Sequence, residues 1–235
     1  MNEISYEGRD LEVLADMRNY YSWIMEIFSP WVSGHVVEYG AGAGTISAQL
    51  APLANKLTLV EPSANLVSLL GARFAGVDHV EVAGESLERH SGEVASQSVD
   101  TIVLVNVLEH IEDDRAALGA LVRMLRSGGH LLIFVPALQF LMSRLDRELG
   151  HFRRYHRPDL IKNVRDAGAE VQECRYFDAF GIVPWLILNK FMRSTGFSRR
   201  LVNINDRFAV PVSKLVESSL RLPFGKNLVL VARKP

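Results

Sequence analysis

The sequence predicts an α/β fold, in which helices cover both faces of an open and mostly parallel sheet. Between residues 36 and 136, short runs of β-branched residues alternate with stretches of helical character, a spacing typical of β-α-β-α order. The runs at residues 101–105 and 131–135 are apolar at almost every position, which indicates strands covered by helices on both sides. The intervening helices stop at recognisable signals, Pro52 for one and the Ser-Gly-Gly turn at residues 127–129 for another.

The composition predicts one globular domain and excludes several classes of protein. At 235 residues, with 48% hydrophobic and 23% charged residues, the chain can bury a sizeable core and is too apolar for a disordered protein. Its net charge of −1 gives no overall attraction to nucleic acid or to an acidic membrane surface, so any anion-binding surface must be local. The single cysteine, Cys174, permits no intramolecular disulfide and no Cys-rich metal site, which is typical of a reducing compartment.

The start of the chain and its apolar runs predict a cytoplasmic protein. The first seven residues contain neither a basic cluster nor an apolar run, and therefore do not resemble a secretory signal. The longest apolar run, residues 179–188, is half as long as a transmembrane helix, which needs roughly 20 residues. We therefore expect no integral membrane segment and no nucleic-acid partner.

Three glycines at alternate positions, Gly40, Gly42 and Gly44, stand between a predicted strand and a predicted helix. Glycine allows positive φ and lets a ligand approach the backbone closely. The spacing differs from the G-x-G-x-x-G pattern of dinucleotide sites, which argues against a nicotinamide-dependent oxidoreductase. Glu38, before the loop, would repel a pyrophosphate and attract an ammonium group, and Glu61, ending the next strand, could accept both hydroxyls of a ribose. S-adenosylmethionine carries both groups, whereas the alternative is a structural turn with two surface acids.

Five segments in this order resemble the motifs of class I S-adenosylmethionine-dependent methyltransferases. They are Glu38-Tyr39-Gly40-Ala41-Gly42-Ala43-Gly44, Glu61-Pro62-Ser63, Gly84-Glu85-Ser86, Val99 to His110 and Leu125 to Leu132. The resemblance implies a Rossmann-like, doubly wound sheet of seven strands in the order 3-2-1-4-5-7-6, with the last strand antiparallel. It also implies S-adenosyl-L-methionine as the cofactor. Ligands of such sheets bind where the strand order reverses, so the glycine loop should face residues 106–110.

The resemblance extends from about residue 17 to the end of the chain, within one methyltransferase domain. We expect a helical N-terminal cap over residues 1–34, a cofactor-binding core over 35–136 and a substrate-side half over 137–235, with a helical insertion at about 179–222. The expected cofactor contacts are Tyr20, Glu38, Gly40, Ala41, Gly42, Glu61, Pro62, Glu85, Ser86, Asn106, Val107 and His110. Tyr20 could instead belong to the core, which is the role that we favour for Trp23.

The segment from Asn106 to His110 also resembles a metal-binding motif. In ubiquinone-pathway O-methyltransferases and small-RNA 2′-O-methyltransferases, a similar segment reads Glu-x-x-Glu-His and helps to bind a divalent metal. This chain has Asn106 in place of the first Glu, which removes one hard anionic ligand. We therefore expect no metal, and we expect Asn106 and His110 to line the cofactor pocket and to start the next helix.

Residues 143–158 form the most distinctive segment, with five arginines, two histidines and two acids. Gly150-His151-Phe152-Arg153-Arg154-Tyr155 resembles the G-H-x-R-R-Y signature of a bacterial methyltransferase subgroup often associated with glycosyltransferases and natural-product pathways. We expect this segment to lie over the acceptor pocket. One hypothesis makes His151 a general base oriented by Asp146, with His110 as a further candidate, and makes Arg153, Arg154 and Tyr155 substrate-binding residues. The alternative is a solvated turn in which the arginines pair with nearby acids and Tyr155 packs on the following helix.

These features predict an enzyme that methylates a hydroxyl of a small or medium-sized acceptor, such as a sugar-containing or polyketide-like metabolite. Transfer from a sulfonium chiefly requires the acceptor to be held close and in line. The chain lacks the Asn/Asp-Pro-Pro-Tyr/Phe motif of enzymes that methylate amino groups of nucleic acids, which favours O-methylation. N- or C-methylation of a small molecule, and a non-catalytic subunit that keeps the fold, are the alternatives.

The apolar insertion at about 179–222 is more hydrophobic than a surface connection. It predicts a lid over an apolar acceptor pocket, a homodimer interface or an in-plane membrane contact, and we favour the lid because insertions at this place often shape the substrate site in the family.

Overall fold

A computed structural model describes residues 16–187 and 199–235 of the chain. The strands are β1 (His35–Tyr39), β2 (Lys56–Val60), β3 (Val80–Ala83), β4 (Val99–Val105), β5 (Leu125–Pro136), β6 (Glu170–Phe177) and β7 (Asn227–Arg233). They form one sheet of seven strands in the order β3-β2-β1-β4-β5-β7-β6. β7 runs antiparallel to β5 and β6, whereas the other neighbouring strands are parallel. The predicted strand order and the antiparallel last strand are confirmed.

Helices pack on both faces of this sheet. The α-helices are α1 (Arg18–Phe28), α2 (Ser47–Leu50), α3 (Ala64–Arg73), α4 (Leu87–Glu93), α5 (Asp114–Met124), α6 (Arg144–Glu148), α7 (Arg157–Asp166), α8 (Ile182–Trp185), α9 (Arg199–Ile204) and α10 (Val210–Ser219). Successive side chains of β5 alternate between the two faces. Leu131 and Ile133 join the cluster that includes α5 and α7, whereas Leu132 and Phe134 join the cluster that includes α1. This arrangement explains why the strand sequences are apolar without alternation.

β5 is longer than the sequence predicts, because it begins at Leu125 and not near His130. Its first residues pair with the start of β4, where the register is irregular. Gly128 has φ +84°, and a Cβ on Gly129 would lie 2.9 Å from the carbonyl oxygen of Asp100. The glycines that we interpreted as a helix stop therefore form an irregular entry into the strand.

The strand order reverses between β1 and β4, because the chain continues from β1 to β2 on one side and later returns to β4 on the other. In open α/β sheets this point leaves a crevice at the carboxyl ends of the strands, where ligands bind. The loops that follow β1 and β4 therefore line the expected crevice.

The connection between β6 and β7 is largely helical in the part that the structure describes. It contains α8, α9 and α10, with a π-helical stretch, Asn205–Ala209, between the last two. Residues 188–198 of the predicted insertion lie outside the described residues, as does the part of the N-terminal cap before residue 16. Within the described ranges, no helix is long and apolar enough to cross a membrane.

Two buried carboxylates attach the π-helical stretch and α10 to the rest of the fold. The Asp206 carboxylate accepts hydrogen bonds from the backbone N–H groups of Asn19 (3.1 Å) and Tyr20 (2.9 Å), in the first turn of α1. The Glu217 carboxylate accepts hydrogen bonds from the N–H groups of Asp178 (3.1 Å) and Ala179 (2.8 Å), directly after β6. Because a carboxylate at a helix N-terminus also interacts favourably with the helix dipole, Asp206 stabilises the start of α1.

Candidate active site

The loop after β1 and the loop after β4 meet closely at the crevice. Gly40 has φ +66°, and its N–H donates a hydrogen bond to the carbonyl oxygen of Val60 (2.8 Å). A Cβ on Gly40 would lie only 2.5 Å from Cγ2 of Val107, so both the backbone conformation and the close approach require glycine. Asn106 also has positive φ (54°), its side chain is exposed, and its N–H donates to the carbonyl oxygen of Phe134 (2.8 Å). The glycine loop therefore faces residues 106–110, as expected.

Glu61 lies at the end of β2 and binds the glycine loop through its carboxylate. Oε2 accepts a hydrogen bond from the N–H of Gly42, and Oε1 accepts one from the N–H of Ser63, both at 3.0 Å. The side chain is buried, with 5% of its surface exposed. A carboxylate oxygen has two lone pairs, so each oxygen keeps the capacity to accept a ligand hydroxyl.

Glu38, near the end of β1, is also buried beneath the loop. The hydroxyl of Ser47 donates a hydrogen bond of 2.5 Å to its Oε2. Burial raises the pKa of Glu38 to about 8, and the Ser47 hydrogen bond offsets only part of this effect. An ammonium group beside Glu38 would stabilise the ionised carboxylate, because it would supply the favourable interaction that water gives to an exposed carboxylate.

The remaining predicted cofactor residues divide into two groups. Pro62 is exposed next to Glu61, and Glu85 and Ser86 follow β3, where the Ser86 hydroxyl caps α4 by accepting the N–H of Arg89 (3.3 Å).

Tyr20 lies over the other half of the sheet. Its hydroxyl donates to Oδ1 of Asn227 (3.0 Å), and its ring contacts the rings of Phe134 and Phe177. Trp23 is likewise buried against Phe177. These contacts favour a core role for Tyr20 over a lid on the cofactor.

Two histidines meet beside this crevice. The ring centroids of His110 and His151 are 4.6 Å apart, with the rings nearly perpendicular. His110 ends a short 3-10 turn, Leu108–His110, and not the start of a helix as we expected, because α5 begins only at Asp114 with Asp113 as its N-cap. Desolvation by the surrounding protein, together with the neighbouring His151, lowers the pKa of His110 to about 4.

Glu109 lies next to the histidine pair and was not among the predicted site residues. It is fully buried, and neither carboxylate oxygen has a hydrogen-bond partner. Burial raises its pKa to about 8. One donor atom from each of Glu109, His110 and His151 can be chosen so that all three atoms lie within 4.8 Å of one another. The signal was present in the sequence, because Glu109 occupies the second Glu of the Glu-x-x-Glu-His pattern.

Among the residues that the structure describes, these three side chains form a group that could hold a metal ion. One carboxylate and two imidazoles form a donor set that suits divalent transition metals. The orphaned carboxylate of Glu109 agrees with such a role, since a buried polar group without a partner is costly. The donor set therefore fits a metal ion, although the sequence predicts none.

His151 is oriented by a buried network centred on Asp146. Nδ1 of His151 lies 3.1 Å from Oδ1 of Asp146, and the same oxygen accepts hydrogen bonds from Nε (3.0 Å) and Nη2 (2.8 Å) of Arg154. The backbone N–H and hydroxyl of Ser143 both donate to Oδ2 at 2.7 Å. Burial opposes ionisation of Asp146, but His151, Arg154 and Ser143 together lower its pKa to about 2. The carboxylate therefore remains charged and can hold His151 in one orientation.

Two arginines of this segment pair with acids, as in the alternative that we considered, but the segment is not a solvated turn, because Arg154 and Tyr155 are buried. Arg154 is buried, and its guanidinium lies 4.5 Å from the centroid of the Trp185 ring besides contacting Asp146. Arg153 pairs with Asp114 (2.8 Å), and the Tyr155 hydroxyl donates to the other oxygen of the same carboxylate (2.8 Å). Because these polar groups already have protein partners, the contacts favour a supporting role for Arg153, Arg154 and Tyr155 over direct contact with the substrate.

The methyltransferase domain family model matches residues 13–174 of the chain. The chain belongs to the class I S-adenosylmethionine-dependent methyltransferases. This methyltransferase resembles solved structures over most of its length. They include an S-adenosylmethionine-dependent methyltransferase from Archaeoglobus fulgidus, with a TM-score of 0.64 and 12% identity over 92% of this chain and 94% of that one. Another is the N-methyltransferase NodS from Bradyrhizobium japonicum in complex with S-adenosylhomocysteine, with a TM-score of 0.60 and 18% identity over 93% and 87%.

Curated relatives of the methyltransferase include two ubiquinone biosynthesis O-methyltransferases. The protein from Cupriavidus pinatubonensis is 26% identical over 172 residues, and that from Xanthomonas oryzae pv. oryzae is 25% identical over 154 residues. The alignments cover 62% and 59% of this chain, and 66% and 63% of the relatives. The chain therefore spans slightly less than two thirds of the length of either relative. The family membership confirms a methyltransferase domain, whose cofactor is S-adenosyl-L-methionine.

Replacing Asp146 by Asn should destabilise the methyltransferase. The change leaves the buried guanidinium of Arg154 without its anionic partner, which typically costs about 3 kcal/mol or more of unfolding free energy. Asp166→Asn is the matched control, because Asp166 pairs with Lys162 at an exposed position, where the loss should be below about 0.5 kcal/mol. Urea unfolding followed by circular dichroism measures both values. Equal losses in the two variants would contradict the role that we assign to Asp146.

Proposed function

We propose that this methyltransferase transfers the methyl group of S-adenosylmethionine to a hydroxyl of a small or medium-sized acceptor, with His151 as the general base. The observation that carries the proposal is the contact of His151 with the ionised Asp146, close to the loop that follows β4. Asp146 faces Nδ1, so a proton on Nδ1 leaves Nε2 unprotonated and able to accept one. A sugar-containing or polyketide-like metabolite remains our expectation for the acceptor.

In the proposed complex, the cofactor lies across the glycine loop between β1 and β2. The methionine ammonium interacts with Glu38, and the ribose hydroxyls donate hydrogen bonds to Glu61. Pro62, Glu85 and Ser86 lie toward the adenine, while Gly40, Ala41, Gly42, Asn106 and Val107 line the methionine side. Support comes from the burial of both acids directly beneath the loop and from the Glu61 contacts with Gly42 and Ser63.

The proposed reaction is an in-line displacement. The acceptor oxygen attacks the methyl carbon, the bond between that carbon and the sulfonium sulfur breaks, and the bond electrons remain on sulfur to give S-adenosylhomocysteine. The hydroxyl proton passes to Nε2 of His151, and the resulting imidazolium is stabilised by the carboxylate of Asp146. Such a base typically contributes about 10²–10⁴-fold to the rate, besides the effect of holding the acceptor in line.

Transfer to oxygen is supported by the curated relatives, whose names describe O-methylation in ubiquinone biosynthesis. A base beside the cofactor crevice also suits a hydroxyl, which must lose its proton during the transfer. Methylation of nitrogen or carbon, and a subunit that binds cofactor without transferring the methyl group, are the outcomes that would replace this proposal.

The donor set of Glu109, His110 and His151 would hold a divalent metal ion beside the acceptor. Bound there, the ion would act as a Lewis acid that polarises the acceptor hydroxyl. Both roles require Nε2 of His151, since Asp146 faces Nδ1. The two roles therefore exclude each other, and we favour the base, because the ionised Asp146 stabilises the imidazolium that the proton transfer forms.

Replacing Glu61 by Gln should weaken the binding of S-adenosylhomocysteine by about tenfold or more, because hydrogen bonds to a charged acceptor are each worth roughly 1.5–3 kcal/mol. Isothermal titration calorimetry measures the Kd. Glu81→Gln is the matched control, since Glu81 is exposed on β3 and pairs only with Lys56 among the described residues. An unchanged Kd for Glu61→Gln would contradict the proposed cofactor site.

Replacing His151 by Ala should slow methyl transfer by about 10²–10⁴-fold and leave the Kd for S-adenosylhomocysteine nearly unchanged. The rate is measured with S-adenosylmethionine labelled in the methyl group and a hydroxyl acceptor, for which 3,4-dihydroxybenzoate and methyl glucoside are suitable probes. Added imidazole should restore part of the rate of His151→Ala, because it can occupy the space of the missing ring.

The control for this variant is His156→Ala, which changes an exposed histidine five residues along the chain. It should transfer methyl groups at the wild-type rate. A wild-type rate in His151→Ala would remove His151 as the base. Transfer to benzylamine but to none of the hydroxyl probes would replace O-methylation by N-methylation.

Chelation with EDTA should leave the transfer rate within about twofold of its starting value, because the proposed proton transfer uses only protein groups. The purified protein is dialysed against EDTA, and the rate is measured before and after Mn²⁺ is added back. If Mn²⁺ restored the lost rate in the wild type but not in Glu109→Gln, the result would indicate that a metal ion, and not His151, activates the acceptor hydroxyl.

A further inference from the structure

The helical segment from α9 to α10, residues 199–219, has an apolar outer face. Leu201, Ile204, Phe208, Val212 and Leu215 are between 48% and 71% exposed. Their spacing of three or four residues places them on one side of a helix, and we call them the outer stripe. Soluble proteins rarely expose a continuous apolar surface unless it contacts something. The sequence favoured a lid over the acceptor pocket, but this stripe faces solvent.

The inner face of the same segment buries two apolar residues, Val202 and Val210, together with three polar ones. Asp206, Ser213 and Glu217 are buried there, and the two carboxylates accept four backbone hydrogen bonds from α1 and from the chain after β6. Turning the segment to bury the outer stripe would break these hydrogen bonds and would leave buried N–H groups unsatisfied. The outward orientation of the stripe is therefore fixed by the fold.

Every charged residue on the solvent side of residues 199–221 is basic. These residues are Arg199, Arg200, Arg207, Lys214 and Arg221, whereas both acids of the segment point inward. Arg199 pairs with Asp16 and Lys214 with Glu26. In the part of the chain that the structure describes, no ion pair involves Arg200, Arg207 or Arg221. The stripe therefore lies among cations, although the whole chain carries a net charge of −1.

The apolar stripe and the basic residues around it together indicate which kind of partner this surface binds. A second copy related by a twofold axis would bring the same basic residues together, which is electrostatically unfavourable. A bilayer with anionic headgroups offers apolar chains to the stripe and phosphates to the arginines at the same time. Since no described helix is long enough to cross a membrane, the segment would lie in the plane of the surface.

We propose that residues 199–221 dock this methyltransferase onto anionic phospholipid bilayers. The outer stripe inserts at the boundary between headgroups and acyl chains, and Arg200, Arg207 and Arg221 contact lipid phosphates. The segment contacts the first turn of α1 through Asp206, and it contacts the chain directly after β6 through Glu217. Both contacts lie at the carboxyl edge of the sheet. These hydrogen bonds therefore attach the segment at the same edge as the candidate active site. The proposal does not depend on which acceptor the enzyme methylates.

The test is sedimentation of the full-length protein with vesicles. We expect binding to vesicles of equal parts phosphatidylglycerol and phosphatidylcholine, and binding about tenfold weaker or more to phosphatidylcholine alone or in high salt. The variant Phe208→Ser/Leu215→Ser should lower binding to the anionic vesicles by about tenfold, because it removes two large apolar side chains from the stripe. Arg200→Glu/Arg207→Glu should have an effect of similar size through charge alone.

The matched control is Leu53→Ser/Leu69→Ser, which changes two apolar residues of 41% and 47% exposure outside the stripe. It should bind vesicles like the wild type, and circular dichroism should show that all variants are folded. Absence of binding to anionic vesicles, or equal binding by the wild type, Phe208→Ser/Leu215→Ser and Arg200→Glu/Arg207→Glu, would overturn the proposal. A wild-type dimer in sedimentation velocity that Phe208→Ser/Leu215→Ser dissociates, without vesicle binding, would assign the stripe to a second copy.

Discussion

The buried negative charge of Asp146 sets the arrangement of the groups around it. Its two oxygens accept hydrogen bonds from Ser143, His151 and Arg154, so one side chain joins a helix start, a histidine and a buried cation. An isolated carboxylate would be too costly to bury, and the three partners together stabilise its ionised form. The orientation of His151 is therefore a consequence of a local balance of charge.

The segment that carries His151 is attached to the sheet at several other points. The Tyr155 hydroxyl, which donates to Asp114, also lies 3.2 Å from the carbonyl oxygen of Leu108, and Arg153 donates to the carbonyl oxygen of Glu112 (2.6 Å). A parallel bridge also joins Tyr155 to Ala137 after β5. These contacts hold the segment against the chain that leaves β4, which brings His151 beside His110. Arg153 and Arg154 thus supply contacts that hold the segment in place.

The sequence alone predicted the sheet and the glycine loop, because both depend on patterns within short stretches of chain. The strand order was implied by the resemblance to the methyltransferase motifs, and Gly40 was recognisable from its place between a strand and a helix. Glu109 stood in the Glu-x-x-Glu-His pattern, but its place beside His151 depends on a segment far along the chain. Arg154 could be counted but not placed, since composition does not say whether a cation faces inward. Likewise, Asp206 and Glu217 would be assigned to a solvent face, because their partners lie in α1 and after β6.

The neutral state of Glu38 links cofactor uptake to the acidity of the medium. With its pKa raised to about 8, this carboxyl group still holds a proton in the free enzyme under neutral conditions. In the proposed complex, the arriving ammonium expels that proton, so affinity increases with pH until the group is ionised beforehand. The heat of complex formation then contains the protonation enthalpy of whichever buffer accepts the proton. Two buffers of different ionisation enthalpy would consequently give two different heats for the same equilibrium.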